Sequence, residues 1–468
     1  RWKKNHAFEK SLELREGAPE FIFFEGPPSA NGMPGIHHVM ARSIKDAICR
    51  YKTQSGYKVN RRAGWDTHGL PVELGVEKML GITKEDIGTK ISVEEYNDAC
   101  RKEVMKYTAE WVNMTERVGY WVDMDDPYIT YDNRYIETLW FLLKKIYDKG
   151  LLYKGKSIQP YSPAAGTGLS THELNQPGCY RDVKDTTATA QFKVVRDEKS
   201  EFLFAEGVQP YFLAWTTTPW TLPSNTALCV GPNIDYVRVL STNPYTGVPG
   251  LYIVAQALVG AHFNPKKQEF TVLEGTLKGS ELTGIRYEQL IPWFNPGEGA
   301  FKVIPGDYVT TEDGTGIVHI APTFGADDAK VARLAGVPGL QVVDRNGDLQ
   351  AQVDLRGRFF RIEDLDPEYA AANMAPEYAE WAGRYVKNAY DASLPADAPT
   401  LDVDLCVMLK QQNKAFRIEK HTHNYPHCWR TDKPVLYYPL NSWFIKTTAV
   451  RERMMELNEQ IMWKPEST

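Results

Sequence analysis

Residues 21–46 read FIFFEGPPSANGMPGIHHVMARSIKD, and the order of residue types in that stretch predicts machinery for holding a nucleoside triphosphate. Residues 21–24 are apolar and read as a strand, and the Gly- and Pro-rich run after them reads as a turn. His37 and His38 follow, then a helix pattern with Met40, Ile44, Ile48 and Tyr51 on one face. A strand that ends in a loop opening a helix gathers free backbone N–H groups and the positive dipole end at one point. A donating imidazole there can follow charge as it develops on phosphate oxygens. Two adjacent histidines would serve equally as polar caps of a tight turn, and the pair alone leaves both readings open.

Further motifs extend the pattern: RRAGWDTHGLPVELGVEK at 61–78, AWTTTPWTLPSN at 214–225, GTGIVHIAPTFGADD at 314–328, NYPHCWR at 424–430 and NSWFIK at 441–446. In this order they closely resemble the amino-terminal half of the isoleucyl-tRNA synthetases, class I synthetases with a Rossmann-like catalytic domain. GWDTHGLPVE points to isoleucine rather than valine or leucine. The resemblance covers nearly the whole chain and thins over residues 361–400. It implies an α/β fold, with part of a Rossmann-like class I catalytic domain interrupted by an inserted, mainly-β editing domain.

One departure matters. The family's usual loop signature is His-x-Gly-His, whereas this chain has Gly35-Ile36-His37-His38. His38 keeps the second histidine position, and the arrangement resembles the swapped form of one bacterial branch of the family. By that resemblance His38, ahead of His37, is the catalytic candidate. Gly32, Gly35, His37 and His38 would surround ATP, which would arrive with Mg2+.

The bulk numbers bound the answer. A chain of 468 residues can bury a substantial core and should hold two or more domains. Hydrophobic residues make up 43% and charged ones 24%, an ordinary globular balance. No apolar run approaches the length of a membrane span, and the first residues, RWKKNHAFEK, carry no apolar signal region. The expected location is the cytoplasm, and a monomer is expected. The start lacks Met, so the chain is expected to begin inside a longer protein.

A net charge of −6 argues against a wholly basic surface for nucleic acid. A local patch would suffice, and Arg50, Lys52, Lys58, Arg61 and Arg62 form one candidate, with a solvated helix end as the alternative. Six scattered cysteines, at 49, 100, 179, 229, 406 and 428, suit reduced thiols. Isoleucyl enzymes often carry Cys-x-x-Cys ribbons near YSPAAG and PHCWR. Here the first reads Ser162-Pro163-Ala164-Ala165, and the second retains only Cys428, with Thr431 at the partner position. One thiolate cannot build a tetrahedral zinc site, so no metal is expected in this chain, although zinc remains possible in a longer protein.

Residues 1–150 read as alternating strand and helix, the first half of the catalytic domain. Ser92-Val93-Glu94-Glu95 is a capping box opening one helix through Cys100, Val104, Tyr107, Trp111, Met114 and Val118 to Gly119. A second helix carries Ile136, Leu139, Leu143, Ile146 and Tyr147, with Gly150 as its stop. Residues 151–185 read as a connector. Residues 186–395 hold short strand-like runs separated by Gly, Pro and Asn turns, the pattern of a β-barrel or sandwich, and end in helical decoration and a linker. Residues 396–435 read as a return connector, and 436–468 as the start of the second catalytic half.

The resemblance assigns two sites. At the first, Asp66 would hold the α-ammonium of isoleucine and Pro27 would help wall its side-chain pocket, while His68 steadies the turn. Asp66 alone would otherwise read as a helix cap. The reaction implied is attack of the isoleucine carboxylate on the α-phosphate of ATP, then transfer to tRNA(Ile). At the second, Thr216, Thr217 and Thr218 end a strand before Pro219, and His319 and Asp328 follow far downstream. Threonine triplets usually only favour β structure. By resemblance Asp328 grips the amino group of a mischarged ester, while the threonines and His319 hold substrate and the attacking water. A second site has a physical rationale, since an apolar pocket rejects a substrate one methylene smaller only weakly. This enzyme class is itself the standing example, at about 150-fold for isoleucine over valine, with hydrolytic editing supplying the rest.

The family's second, lysine-containing phosphate loop is absent before the final Pro465-Glu466-Ser467-Thr468, and the anticodon-binding helices are absent too. The chain therefore reads as an amino-terminal fragment, expected to be weak or inactive in activation. Two other readings stay open, a free-standing hydrolase of mischarged tRNA and a non-catalytic tRNA- or nucleotide-binding module.

Overall fold

The computed structural model describes residues 2–266, 268–395, 398–463 and 466. Positions 396–397 of the expected linker, and most of the final four residues, lie outside the described residues. Two compact units form: Arg1–Tyr153 with Trp443–Thr468, and Lys154–Ser442. Among the described residues no helix is long and apolar enough to cross a membrane.

The first unit runs α1 (Ala7–Glu13), α2 (Ile36–Gln54), β1 (Arg62–Trp65), α3 (Leu70–Leu80), α4 (Val93–Val104), α5 (Thr108–Val118), β2 (Asp123–Ile129) and α6 (Asn133–Asp148), with a further helix at Arg451–Asn458. β1 and β2 pair in parallel, as an α/β arrangement requires. Two local expectations need correction. Residues 21–24 form no strand; only Glu20 makes a bridge, to Lys58, and Ile22 and Phe24 are exposed. The helix expected from Ser92 to Gly119 is two helices. Its capping box forms as expected, Ser92 and Glu95 exchanging bonds at 3.2 and 3.0 Å. The break at 105–107 arises because the Tyr107 N–H donates instead to Ala30 O at 2.9 Å. On α2, Met40, Ile44, Ile48 and Tyr51 share one face, as expected, and each is more than half exposed. The buried row is Arg42, Cys49 and Thr53. Arg42 makes that face workable, with its guanidinium over the Trp111 and Tyr120 rings and a 2.7 Å bond to Thr115 Oγ1.

The basic run is largely neutralised from within. Asp46 binds both Arg50 (2.5 Å) and the buried Arg61 (2.9 Å), Lys58 pairs with Glu16, and Arg62 pairs with Asp126. The Lys52 ammonium lies over the Phe21 and Tyr57 rings. Charges so engaged leave little field for an external polyanion.

The second unit contains β3 (Leu152–Ser162), β4 (Thr167–Gly168), α7 (Thr171–Leu174), β5 (Tyr180–Lys193), β6 (Pro210–Thr216), β7 (Ala227–Val230), β8 (Asp235–Thr242), β9 (Pro249–Ala255), α8 (Val259–His262), β10 (Phe270–Val272), β11 (Leu277–Lys278), α9 (Gly279–Leu282), β12 (Lys302–Pro305), β13 (Ile317–Ile320), α10 (Ala326–Leu334), β14 (Val342–Val343), β15 (Leu349–Gln350), α11 (Pro367–Asn373), α12 (Leu401–Gln411), β16 (Ala415–Pro426) and β17 (Leu436–Ile445). Ten of the strands build one mixed sheet, ordered β10-β8-β9-β6-β13-β7-β12, with β11 on β8 and the β5/β16 pair joining through β6. β6 is the branch point. β5 pairs antiparallel along it, while β9 joins its start and β13 its end, both in parallel. A strand shared in this way brings its C-terminal residues beside β13.

β16 pairs with β5 over nearly its whole length. Residues 180–185 and 415–426, expected as connector, are therefore part of the sheet. The 363–400 region likewise contributes more than decoration, because Leu365, Tyr378 and Trp381 belong to the main core. Tyr378 is fully buried against Trp293, Phe294 and Phe359, with its hydroxyl donating to Phe360 O at 2.7 Å.

Candidate functional site

In the first unit, the loop between residues 26 and 35 is fixed by three tertiary bonds to its backbone carbonyls. Asp66 N–H donates to Pro28 O (3.0 Å), Tyr107 N–H to Ala30 O (2.9 Å) and the Trp111 indole N–H to Gly32 O (2.9 Å). The loop carrying Pro27 and the turn carrying Asp66 are thereby joined. Asp66 follows β1 directly, is exposed, and accepts only a 3.4 Å bond from the His68 N–H. It does not cap α3, whose N-cap is Gly69. His68 Nδ1 lies 2.9 Å from Thr130 Oγ1, tying the turn to the end of β2.

Gly35 is the N-cap of α2, and its N–H donates to His38 Nδ1 at 2.9 Å. An accepting Nδ1 leaves the proton on Nε2, so His38 is neutral with a donor to offer. Burial, then the neighbouring His37 and Arg42, lower its pKa. The His38 ring packs edge-on to Trp111 and lies 3.8 Å from the His37 ring. His37 is exposed, and a Cβ on Gly35 would come within 2.8 Å of its Cε1. The missing side chain at 35 leaves room for the His37 imidazole. Gly32 is exposed alongside.

In the second unit a cavity of about 360 Å³ is lined by Thr216, Thr217, Thr218, His319 and Asp328 together, although the sequence separates the first and last by more than a hundred residues. The sheet explains the convergence, since Thr216 ends β6, His319 lies in β13 beside it, and Asp328 stands in the first turn of α10, which follows β13 after residues 321–325. The Thr218 N–H donates to Thr216 Oγ1 at 3.1 Å, and the two hydroxyls lie 3.3 Å apart.

Two partners of His319 were not singled out from the sequence: Thr221, which lines the cavity, and Asn225, which does not. Thr221 Oγ1 lies 2.9 Å from His319 Nε2 and donates to Thr218 O at 2.8 Å. Asn225 Nδ2 is 3.1 Å from His319 Nδ1 and donates to Ala227 O, while its Oδ1 accepts from the Tyr287 hydroxyl at 2.7 Å. With Asn225 so oriented, Nδ1 accepts, and Nε2 donates to Thr221. Both stand in the quoted AWTTTPWTLPSN stretch, Thr221 five and Asn225 nine positions past the end of β6. Burial lowers the His319 pKa to about 4, so the ring is neutral. Both ring nitrogens are engaged inside the protein, on Thr221 and Asn225.

Asp328 Oδ2 accepts from the Ala321 N–H at 2.8 Å. Burial raises its carboxyl to about 6. Its side chain folds against Gly325, where an added Cβ would fall 2.7 Å from the carboxyl carbon. A desolvated carboxylate with one oxygen uncommitted is a strong acceptor for a cation. Behind the wall, Asp402 Oδ1 accepts from the Trp220 N–H at 2.8 Å. Cys428 lies in an apolar cluster with Leu169, Leu174 and Val435. Among the described residues no three His, Cys, Asp or Glu side chains gather in a way that could hold a metal ion.

The family described as tRNA synthetases class I (I, L, M and V) matches residues 1–468. An isoleucine–tRNA ligase of Bacteroides fragilis is 66% identical over the whole chain, and one of Porphyromonas gingivalis 65%. In each case the match spans 42% of the relative. A leucyl-tRNA synthetase of Agrobacterium radiobacter K84, solved in a ternary complex with tRNA, is 15% identical over 91% of this chain and 49% of its own, with a TM-score of 0.32, too slight a likeness to carry an argument.

Proposed function

This chain belongs to the class I tRNA synthetases, and from that premise we propose that it serves an isoleucine–tRNA ligase, activating isoleucine with ATP, transferring it to tRNA(Ile) and hydrolysing valyl-tRNA(Ile) made in error. The chain spans 42% of the length of those relatives, so the ligase as a whole is the wider setting of this proposal. The observation that carries it is the convergence of Thr216, Thr217, Thr218, His319 and Asp328 on one cavity.

In the first unit, the neutral His38 would offer its Nε2–H to a phosphate oxygen, with the His37 ring over Gly35 beside it. Asp66 would pair with the α-ammonium of isoleucine, and Pro27 would shape the apolar wall. Positioning and charge stabilisation would do the work, since attack on the α-phosphate needs no covalent enzyme intermediate. ATP would bring its own Mg2+.

In the second unit, Asp328 would hold the α-ammonium of the misattached valine, fixing its ester carbonyl against the threonine hydroxyls. Those hydroxyls would hold the attacking water, which bonds to the carbonyl carbon as the ribose oxygen departs with a proton, freeing valine and tRNA. His319 would act through Thr221. The cavity would admit valine and refuse the larger isoleucine, the second step of a double sieve.

The test is deacylation by the purified chain, with valyl-tRNA(Ile) and isoleucyl-tRNA(Ile) as parallel substrates. The valyl ester should be cleaved faster, and Asp328→Ala should abolish that cleavage. Equal cleavage of both esters, or full activity in Asp328→Ala, would sink the proposal.

A further inference from the structure

A second cavity, of about 510 Å³, lies against α10 and is separate from the one just described. Lys330 and Arg333 of α10 line one wall, and Lys156 and Ser157 of β3 another, with Thr323 and Gln341 between. No Asp or Glu is among the residues lining it. At 100° per residue, positions 330 and 333 lie roughly opposite position 328 on the helix. One face of α10 thus presents Asp328 to the editing cavity, while the other presents two cations to this groove.

Several other cations of the unit have carboxylate partners, as in Lys193–Glu288, Arg196–Glu201 and Arg358–Asp354. Lys330 and Arg333 make no ion pair with any described residue. The Lys156 ammonium reaches only a backbone carbonyl, Leu349 O, at 3.3 Å. Partial desolvation, with no carboxylate opposing it, holds its pKa below the ordinary lysine value. The Thr323 hydroxyl beneath the groove is buried without a partner. Three cations gathered on facing walls repel one another unless an anion enters. The groove is too large for a single phosphate to fill.

We infer that this groove binds the phosphodiester backbone of the RNA whose aminoacylated end enters the editing cavity, with Lys156, Lys330 and Arg333 as its phosphate contacts. The inference rests on the proposed editing function, because that function places an RNA 3′ end on the opposite side of α10. The contacts would carry no base specificity; they would set the strand's position and raise its affinity.

The experiment measures binding of a tRNA(Ile) transcript to the purified chain by fluorescence anisotropy across a salt series. The parent is compared with the triple variant Lys156→Gln, Lys330→Gln, Arg333→Gln, and thermal melts check that both are folded. At low salt the triple variant should bind at least tenfold more weakly. Its log–log salt slope should be shallower by about 2, as three single-strand phosphate contacts require. Hydrolysis of valyl-tRNA(Ile) should show a raised KM with kcat little changed, whereas hydrolysis of a valyl ester of adenosine alone should be unaffected. An unchanged affinity and slope would overturn the inference. So would inorganic pyrophosphate binding that is lost in the variant while tRNA binding is kept, since that describes a small-anion site. A parent chain that binds tRNA in this way but hydrolyses nothing would defeat the editing proposal and leave the RNA contact standing.

Discussion

His319 Nε2 stands 2.9 Å from Thr221 Oγ1, while its Nδ1 accepts from the Asn225 amide, so one buried ring fixes two parts of the cavity wall. Its folded pKa of about 4 lies below the 6.5 of an unperturbed histidine. The unfolded chain therefore takes up this proton first, and stability from this group, full above about 6.5, is lost as pH falls towards 4. His319→Gln should flatten that limb, removing about 1–3 kcal/mol of the acid-induced loss. Urea denaturation at pH 7 and pH 4.5 would check it, and identical acid sensitivity in parent and variant would contradict it.

Asp328 titrates with the opposite sign. Its carboxyl, raised to about 6 by burial, is protonated in the folded state before the unfolded one, so this group adds stability as pH falls through 6. Binding an ammonium needs the ionised form. Valyl-tRNA(Ile) hydrolysis, after subtraction of the Asp328→Asn background, should rise with pH through about 6 and then level off. A profile flat from pH 5 to 7.5 would remove Asp328 from the amine-binding role.

The convergence of these groups was legible because each lies in a long motif, and the motifs bring the strand ends with them. Thr221 and Asn225 were less so, since one residue in a 3-10 helix and one just past it acquire their roles only when β13 brings His319 alongside. In the first unit the apolar spacing puts Met40, Ile44, Ile48 and Tyr51 on one face of α2, yet that face is exposed and Arg42 is buried instead, by aromatic rings distant in sequence. The break before α5 was equally invisible, because the Ala30 carbonyl, distant in sequence, takes the Tyr107 N–H. Periodicity reports which faces are apolar; it does not report which neighbours arrive.

The pairing of Gly35 with His37 yields a third prediction. Alanine at 35 is compatible with the local backbone, φ −105, but its Cβ would press within 2.8 Å of the imidazole and displace it. Gly35→Ala should change stability by less than about 1 kcal/mol. ATP affinity, measured by titration calorimetry, should fall several-fold. If ATP binds the variant as it binds the parent, the His37 ring has no part in holding phosphate.

A charge cluster behind the wall of the cavity supplies the last. The Lys387 ammonium lies 2.9 Å from Asp185 and 3.9 Å from Asp402, beneath the Tyr425 ring. Burial alone would lower its pKa, but Tyr425, Asp402 and Asp185 together raise it, so the lysine is firmly charged. Asp402, lifted to about 6 by burial, also accepts the Trp220 N–H and so anchors the segment that carries Thr221. Removing the cation leaves the buried Asp402 without its counter-charge and the half-buried Asp185 with only His423 at 3.3 Å, and Lys387→Met should cost about 3–5 kcal/mol. Asp402→Asn keeps an acceptor for Trp220 and leaves Lys387 paired with Asp185, so it should cost less than half as much. Chemical denaturation of the two variants decides the matter, because the ordering separates a charge-balancing role for Lys387 from simple packing. Should Asp402→Asn prove the more damaging, the Trp220 contact and not the ion pair would be the cluster's main contribution.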